Sequence, residues 1–280
     1  GPSSEYDVSL MTGSHVIKHM PENWAVREIF IDRDGRWHMD GVEKEPSRIL
    51  PHLDSAFIAM HGEYGEDGRV QKILETFNVP FNGSSSLQSA LAMNKVKTKE
   101  ILALHGVHTP KFTYLKKQDY SYGDLSEIFA SFPRPFIVKP ATGGSSLGVS
   151  IGKSFEDLVQ GVSDAFKSSS TVLIEEYIKG AEATCGVLDH LNGQDLYALY
   201  PIEIKCPDES EIWDYENKYS NDHTLICPAS FNMSTKQKIQ DIAHKVHSVM
   251  SLRDYSRSDF MVTDDGEIYF LEVNTLPGLT

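Results

Sequence analysis

At 280 residues the chain is long enough for two or three packed units, and 40% hydrophobic with 24% charged residues is ordinary for a globular protein. A net charge of −14 argues against nucleic acid or an anionic membrane as a partner, so an anionic ligand would have to be held by local Lys, Arg or metal. Three scattered cysteines (Cys185, Cys206, Cys227) without C-x-x-C spacing argue against a disulfide framework or zinc site and for a reducing, cytoplasmic setting, and no apolar run reaches membrane-spanning length.

In chain order, "VREIFID" (26–32) and "SAFIAM" (55–60) read as short buried strands, and 66–78 carries a helical stripe of Val70, Ile73, Leu74 and Phe77. This alternation predicts a parallel α/β unit over 1–92. Residues 86–106 read as helix with a break near Asn94 and a stop at Gly106, 135–152 as strand, glycine-rich turn and strand, 155–168 as helix, and 171–178 as strand. Lys179-Gly180 is a joint before the strand "EATCGVL". The polar, punctuated stretch 206–230 reads as a functional loop or lid, 235–250 as a helix, and the remainder as a hairpin.

A two-residue Asp265-Gly266 turn in that hairpin makes Thr263 face Ile268, Met261 face Phe270, Asp259 face Glu272 and Arg257 face Asn274. Two carboxylates opposite each other repel, by about 0.2–1 kcal/mol if exposed. A divalent cation between them turns the repulsion into a site, with the Asn oxygen as a further hard ligand suited to Mg²⁺. Arg257 beside them could take a developing negative charge. The plain alternative is a solvated sheet face.

"KPATGGSSLGVS" is not a P-loop, because no Gly-Lys-Ser/Thr follows and no helix opens there, yet a hairpin with exposed N–H groups can cover phosphates, with Lys139 as a point charge. A tight surface turn reads equally well. In "LIEEYIKGAEATCGVL", Glu175 and Glu182 flank the joint, where a carboxylate could accept from an adenine amino group or a ribose hydroxyl; solvated strand ends are the alternative.

Taken in order, "SSEYDVSL", "HGEYGEDG", "GSSSLQSALAMNKVKTK", "IVKPATGGSSLGVS", "LIEEYIKGAEATCGVL", "DYENKYS", "CPA", "SRSDF" and "LEVNTLPGLT" resemble the ATP-grasp enzymes and, within them, the D-alanine–D-alanine ligases, across essentially the whole chain. The resemblance implies a three-domain architecture, α/β in an N-terminal substrate domain (1–92) and α+β in the central ATP-grasp subdomain (93–180) and the C-terminal metal-bearing subdomain (181–280). It implies two D-alanines and ATP as substrates, Mg²⁺ or Mn²⁺ in two sites, an acyl-phosphate intermediate, and a possible homodimer.

It also implies roles for particular residues. Asp259, Glu272 and Asn274 fall on the metals and Arg257 near the oxyanion, while Lys95 and Lys139 match phosphate-binding lysines. Glu175, with Glu176 and Ile178 beside it, matches the adenine contact, and Glu182 the ribose contact. Glu5 matches the carboxylate that receives the first substrate's ammonium, although Ser4 to Asp7 also resembles a helix capping box. His61 matches a residue beside that substrate, although a histidine after a buried strand is often only a structural hydrogen-bonder.

Ser145 and Ser146 fall in the first lid. Lys218 and Tyr219 fall in the second, where Tyr accompanies an amine nucleophile and would reach Glu5 and Ser145 to shut out water. Thr142-Gly143 replace an Arg-Glu pair common in relatives, which predicts a looser lid. The resemblance further implies a strand before Gly1 and a loop with closing helices after "PGLT", and an impaired activity without them. The rivals are a ligase using D-lactate or D-serine, and a nucleotide-binding protein without ligase activity.

Overall fold

The computed structural model of the protein describes residues 1–144, 148–205 and 224–279. Helix α1 (Tyr6–His19) starts at Glu5, whose side chain caps nothing. The Ser4–Asp7 capping box does not form, because Ser4 Oγ donates to Glu63 Oε2 (3.3 Å) instead. Strands β1 (Ile29–Ile31), β2 (Trp37–Met39) and β3 (Val42–Glu43) make an antiparallel sheet, followed by the short helix α2 (Pro46–Ile49).

The strand expected over 55–60 reduces to one parallel bridge between Ala56 and Phe81, the parallel pairing present in this unit among the described residues. Asn82 is the reason: its Oδ1 accepts from Ile58 N (2.5 Å), so a side chain stands where a ladder partner was expected. Helix α3 (Arg69–Thr76) buries Val70 and Leu74 against Ile31, Trp37, Ile49 and Leu50, and Leu276 from the far end of the chain joins the same core.

The predicted break at Asn94 separates α4 (Ser86–Met93) from α5 (Lys95–Leu104), and the Asn94 side chain caps α5 by accepting from Lys97 N (3.1 Å). A four-stranded antiparallel sheet follows, in the order β4 (Phe112–Lys116), β7 (Thr171–Glu176), β5 (Phe136–Pro140), β6 (Ser150–Gly152). Helices α6 (Tyr122–Ser131) and α7 (Phe155–Ala165) cover it. Each opens with a Ser-x-x-Asp capping box, worth about 1 kcal/mol.

Gly180 then carries the chain into the second sheet so closely past β12 that a Cβ there would overlap the Val262 carbonyl. That sheet runs β11 (Thr224–Ile226), β10 (Ile202–Lys205), β8 (Ala181–Asp189), β12 (Tyr255–Val262), β13 (Ile268–Asn274), with β9 (Leu196–Ala198) also on β8. Helix α8 (Met233–Val249) packs Ile239, Ala243 and Val246 onto it, and Ala92 and Leu102 of α4 and α5 enter the same core. Helix α5 is thus held between the two sheets: Lys95 N donates to Ala141 O at the end of β5, and Phe270 N of β13 donates to His108 O (2.8 Å) just beyond the helix.

Candidate active site

Strands β12 and β13 pair Arg257 with Asn274 and Asp259 with Glu272, as the sequence predicts, but the route there is different. The turn is a three-residue loop, with Gly266 N donating to Thr263 O and Gly266 in the left-handed region (φ 84°). Val262 therefore faces Ile268 and Phe260 faces Phe270, one residue out of the expected register. A bulge at Leu271 inserts the extra residue and restores the pairing at Asp259 and Glu272.

The consequence is a change of phase. Ile268, Phe270 and Val273 all face the core, which strict alternation forbids, and Glu272 and Asn274 are turned to the opposite face with Arg257 and Asp259. The polar residues in an apolar strand are there because the bulge re-aims them.

Asp259 accepts from Arg257 through Nε (3.1 Å) and Nη2 (3.2 Å), from Thr184 Oγ1 of β8 (2.6 Å) and from Asn274 Nδ2 (3.2 Å). The Asp259 carboxylate raises the Arg257 pKa above its ordinary value, against burial. Glu272 lies 3.2 Å from Lys95 Nζ, and that ammonium also donates to Gly143 O (2.7 Å) in the glycine-rich turn. The expectation of an uncompensated carboxylate pair is therefore corrected: each carboxylate has its own cation.

Among the described residues no group of three or more His, Cys, Asp or Glu is arranged for a metal. The residues present do fit a hard cation of Mg²⁺ type. Asn274 spends its N–H on Asp259 and leaves its carbonyl oxygen to ligate, and two carboxylates with one amide leave the remaining positions to water and phosphate oxygens.

One helical turn beyond Lys95, α5 buries Lys99, which sequence reading missed. Its Nζ is 2.7 Å from Glu175 Oε1, while Lys139 Nζ is 2.6 Å from Oε2. Burial alone would push the Glu175 carboxyl up, but Lys139 and Lys99 hold it below the usual range. Glu176 is pinned to the chain at Lys111, accepting from Lys111 N (2.8 Å). Ile178 lies in the connection to β8, and Glu182 on β8 faces Ile204 of β10 and Met261 of β12.

On the other wall, the Glu5 carboxylate reaches the glycine-rich turn: a Cβ on Gly144 would lie 2.7 Å from Glu5 Oε1. His61 is buried, with Nδ1 donating to Leu276 O (2.9 Å) and Nε2 2.8 Å from Thr12 Oγ1. Both ring nitrogens are thus committed within the fold. Burial pushes the His61 pKa down, but Glu66, 3.6 Å from Nδ1, together with the Leu276 carbonyl and Glu5, makes the net shift upward. Glu66 is a second residue missed in the sequence, and its signal was "HGEYGEDG", where a carboxylate five residues after the histidine returns to it. Ser145, Ser146, Lys218 and Tyr219 lie outside the described residues.

The hairpin patch and the glycine-rich turn border a cavity of about 20 Å³ walled by Glu66, Lys95, Gly143, Gly144, Glu272 and Asn274. A far larger one, about 1,210 Å³, lies in the N-terminal unit, and no predicted site residue lines it. The small cavity is the candidate site, because the ionisable groups converge there.

The chain's 101–280 match the family model for the D-alanine–D-alanine ligase C-terminus, and 40–84 match that for the N-terminus. A D-alanine–D-alanine ligase of Maridesulfovibrio salexigens is 40% identical over 233 residues, covering 83% of this chain and 73% of that protein. This chain belongs to the D-alanine–D-alanine ligase family.

Among solved family structures, the VanG D-Ala:D-Ser ligase from Enterococcus faecalis superposes with a TM-score of 0.87 at 30% identity, covering 100% of this chain and 89% of that one. The Bacillus anthracis D-alanine–D-alanine ligase complexed with ATP superposes at 0.79 and 30% identity, covering 100% and 85%. The ATP-grasp architecture expected for the family is borne out. No helix among the described residues is long and apolar enough to cross a membrane.

Proposed function

We propose that this chain is an ATP-dependent ligase that joins two D-alanines into D-alanyl-D-alanine for cell-wall precursor synthesis. The observation that carries the reading is the bulged hairpin, which places Arg257, Asp259, Glu272 and Asn274 on one face with Lys95 3.2 Å from Glu272. Family membership supplies the substrate class.

In this reading a carboxylate oxygen of the first D-alanine attacks the γ-phosphorus, the bond to the ADP oxygen breaks, and an acyl phosphate forms. The second D-alanine attacks the acyl carbon with its amine, gives up a proton, and inorganic phosphate leaves. Lys95 and Lys139 hold phosphate oxygens, exchanging Glu272 and Glu175 for them. Glu175, Glu176 and Ile178 bind the adenine and Glu182 the ribose.

Glu5, whose side chain caps no helix N–H, receives the first substrate's ammonium beside the glycine-rich turn. His61 holds that wall together through Thr12 and Leu276 and contributes to the substrate's surroundings. Arg257, kept cationic and oriented by Asp259, faces the oxygen that gains charge in the tetrahedral intermediate. Asp259, Glu272 and Asn274 would hold two Mg²⁺ or Mn²⁺ ions, which when bound neutralise phosphate charge. Ser145, Ser146, Lys218 and Tyr219 would close the lids over the nucleotide.

The test is phosphate release from ATP and Mg²⁺ with and without D-alanine, with product identification. Release that depends on D-alanine, with D-alanyl-D-alanine as the product, is expected. Offering D-serine and D-lactate as second substrates across neutral and raised pH separates the rivals, and a mixed ester or D-alanyl-D-serine as the main product would replace this assignment. ATP binding without phosphate release under any acceptor would leave a nucleotide-binding protein.

A further inference from the structure

Lys99 takes no part in the mechanism above, yet it is among the large fully buried side chains of the described residues, with 0% of it exposed. It follows Lys95 by four residues on α5, so both project from one helix face. Its Nζ lies 2.7 Å from Glu175 Oε1 and donates to the Phe270 carbonyl of β13 at 3.4 Å, with the Phe112 ring 5.9 Å away.

A sealed ammonium is costly unless paired, and here Glu175 already has a partner in Lys139. Two cations share one carboxylate, leaving the cluster at +1. The two lysines differ in freedom. Lys139 is 11% exposed and stands near the end of β5, where the glycine-rich turn begins, so its ammonium can leave Glu175 for a ligand's oxygens. Lys99 is walled in by β4, β7 and β13 and cannot.

We propose that Lys99 is a positioning residue of the nucleotide site: a sealed counter-cation that holds the Glu175 carboxylate in place when Lys139 exchanges it for the phosphates of ATP. This rests on the nucleotide reading above, with Lys139 on the phosphates. Without Lys99, each Lys139 that moved to ATP would leave a buried carboxylate unpaired, and ATP affinity would bear that cost. Lys99 is surrounded by Glu175 from β7, Lys139 from β5 and, farther off, Glu272 from β13, and burial lowers its pKa to about 8. When Lys139 moves away the neighbouring like charge goes with it, so the Lys99 proton and ATP favour each other's binding. Wild-type ATP affinity should therefore fall as pH rises above about 8, by at most about tenfold per pH unit.

The test measures ATP dissociation constants by calorimetry between pH 7 and 9.5, without D-alanine, for wild type, Lys99→Met and Lys99→Arg, alongside thermal melts and the KM for D-alanine. Lys99→Met is expected to weaken ATP binding by about 10–100-fold and to leave the D-alanine KM within about twofold. Lys99→Arg, whose charge does not titrate in this range, should restore affinity and abolish the alkaline loss. A folded Lys99→Met that binds ATP within about threefold of wild type overturns the proposal. So does an alkaline limb unchanged in Lys99→Arg, which also carries the test should Lys99→Met not fold. Wild type that binds no ATP at all overturns the nucleotide reading and this inference together; normal wild-type binding with an unaffected variant overturns this inference alone.

Discussion

Two lysines one turn apart on α5 meet two carboxylates, and the two centres are built for different work. Lys95 and Glu272 sit at a cavity edge, with side chains 11% and 29% exposed, whereas Lys99 and Glu175 are sealed at 0% and 3%. An ion pair at an edge exchanges partners cheaply, since water or a ligand takes up the released charge. A sealed pair cannot exchange without leaving an unpaired buried charge, at a cost of several kcal/mol. One helix thus delivers a cation for ligand exchange and a cation for permanence, and depth rather than residue type decides which is which.

The hardest test of that contrast is insertion of one alanine between Asp259 and Phe260, which gives Leu271 a partner on β12 and removes the bulge. Without the bulge, strict alternation turns Glu272 to the face where Phe270 and Val273 pack, burying its charge and emptying the patch. Turnover is expected to fall by more than about 10³-fold, with a lowered urea midpoint. An insertion variant that keeps near-normal turnover would show that the edge centre does not depend on this register.

Glu175→Ala strikes the sealed centre and should cost about 3–5 kcal/mol in urea unfolding, because Lys99 loses its counter-ion. Lys99→Met combined with Glu175→Leu should recover most of that loss in stability; equal destabilisation in the double variant would mean that packing, not charge, is at stake. At the edge, Glu272→Gln is expected to lower kcat by about 10²–10³-fold with an unchanged melting temperature. Unchanged turnover would remove Glu272 from the metal assignment, and loss of the fold would erase the difference between the two centres.

The smallest effect comes from a third buried ionic centre, where His247 Nδ1 lies 2.8 Å from Ser256 Oγ and Nε2 lies 3.0 Å from Asp189 Oδ1. Its Ser-His-Asp composition has no access to substrate, since His247 and Ser256 are 1% and 2% exposed. Burial lowers the His247 pKa beneath the ordinary 6.5, with Asp189 opposing. Below 6.5 the unfolded chain therefore binds the extra proton first, and stability falls as pH is lowered through that window. The expected slope is up to about 1 kcal/mol per pH unit, read from urea unfolding at pH 5 to 7.5. A His247→Gln variant with the same slope would assign it elsewhere.

The sequence made the α4–Asn94–α5 break readable because Asn caps announce themselves locally, and it made the Arg257–Asn274 and Asp259–Glu272 pairing readable because pairing has period two. It hid the bulge, since nothing in "IYFLEV" marks Leu271 as the extra residue; only the core, by demanding both Phe270 and Val273, reveals it. Lys99 was hidden for the opposite reason. Lys95, Lys97 and Lys99 look alike in "KVKTK", and a lysine on a helix is ordinarily solvated. The spacing of four from Lys95 was the available signal, and Lys97, which pairs with Glu100 at 2.8 Å on the exposed face, shows what the ordinary case looks like. The strand expected at 55–60 failed because Asn82 supplies its hydrogen bond from a side chain, which no periodicity encodes.

The contact between His61 and Leu276 spans 215 residues, and Leu276 is fully buried in the N-terminal core. At a synthesis rate of roughly 5–20 residues per second, the interval between the two residues leaving the ribosome is roughly ten to forty seconds. For that time the nascent N-terminal unit lacks an apolar side chain from its centre and the acceptor for its buried histidine. The N-terminal unit is therefore finished only when a residue far later in the chain arrives, and in that interval chaperones and proteases have an opportunity to act on it.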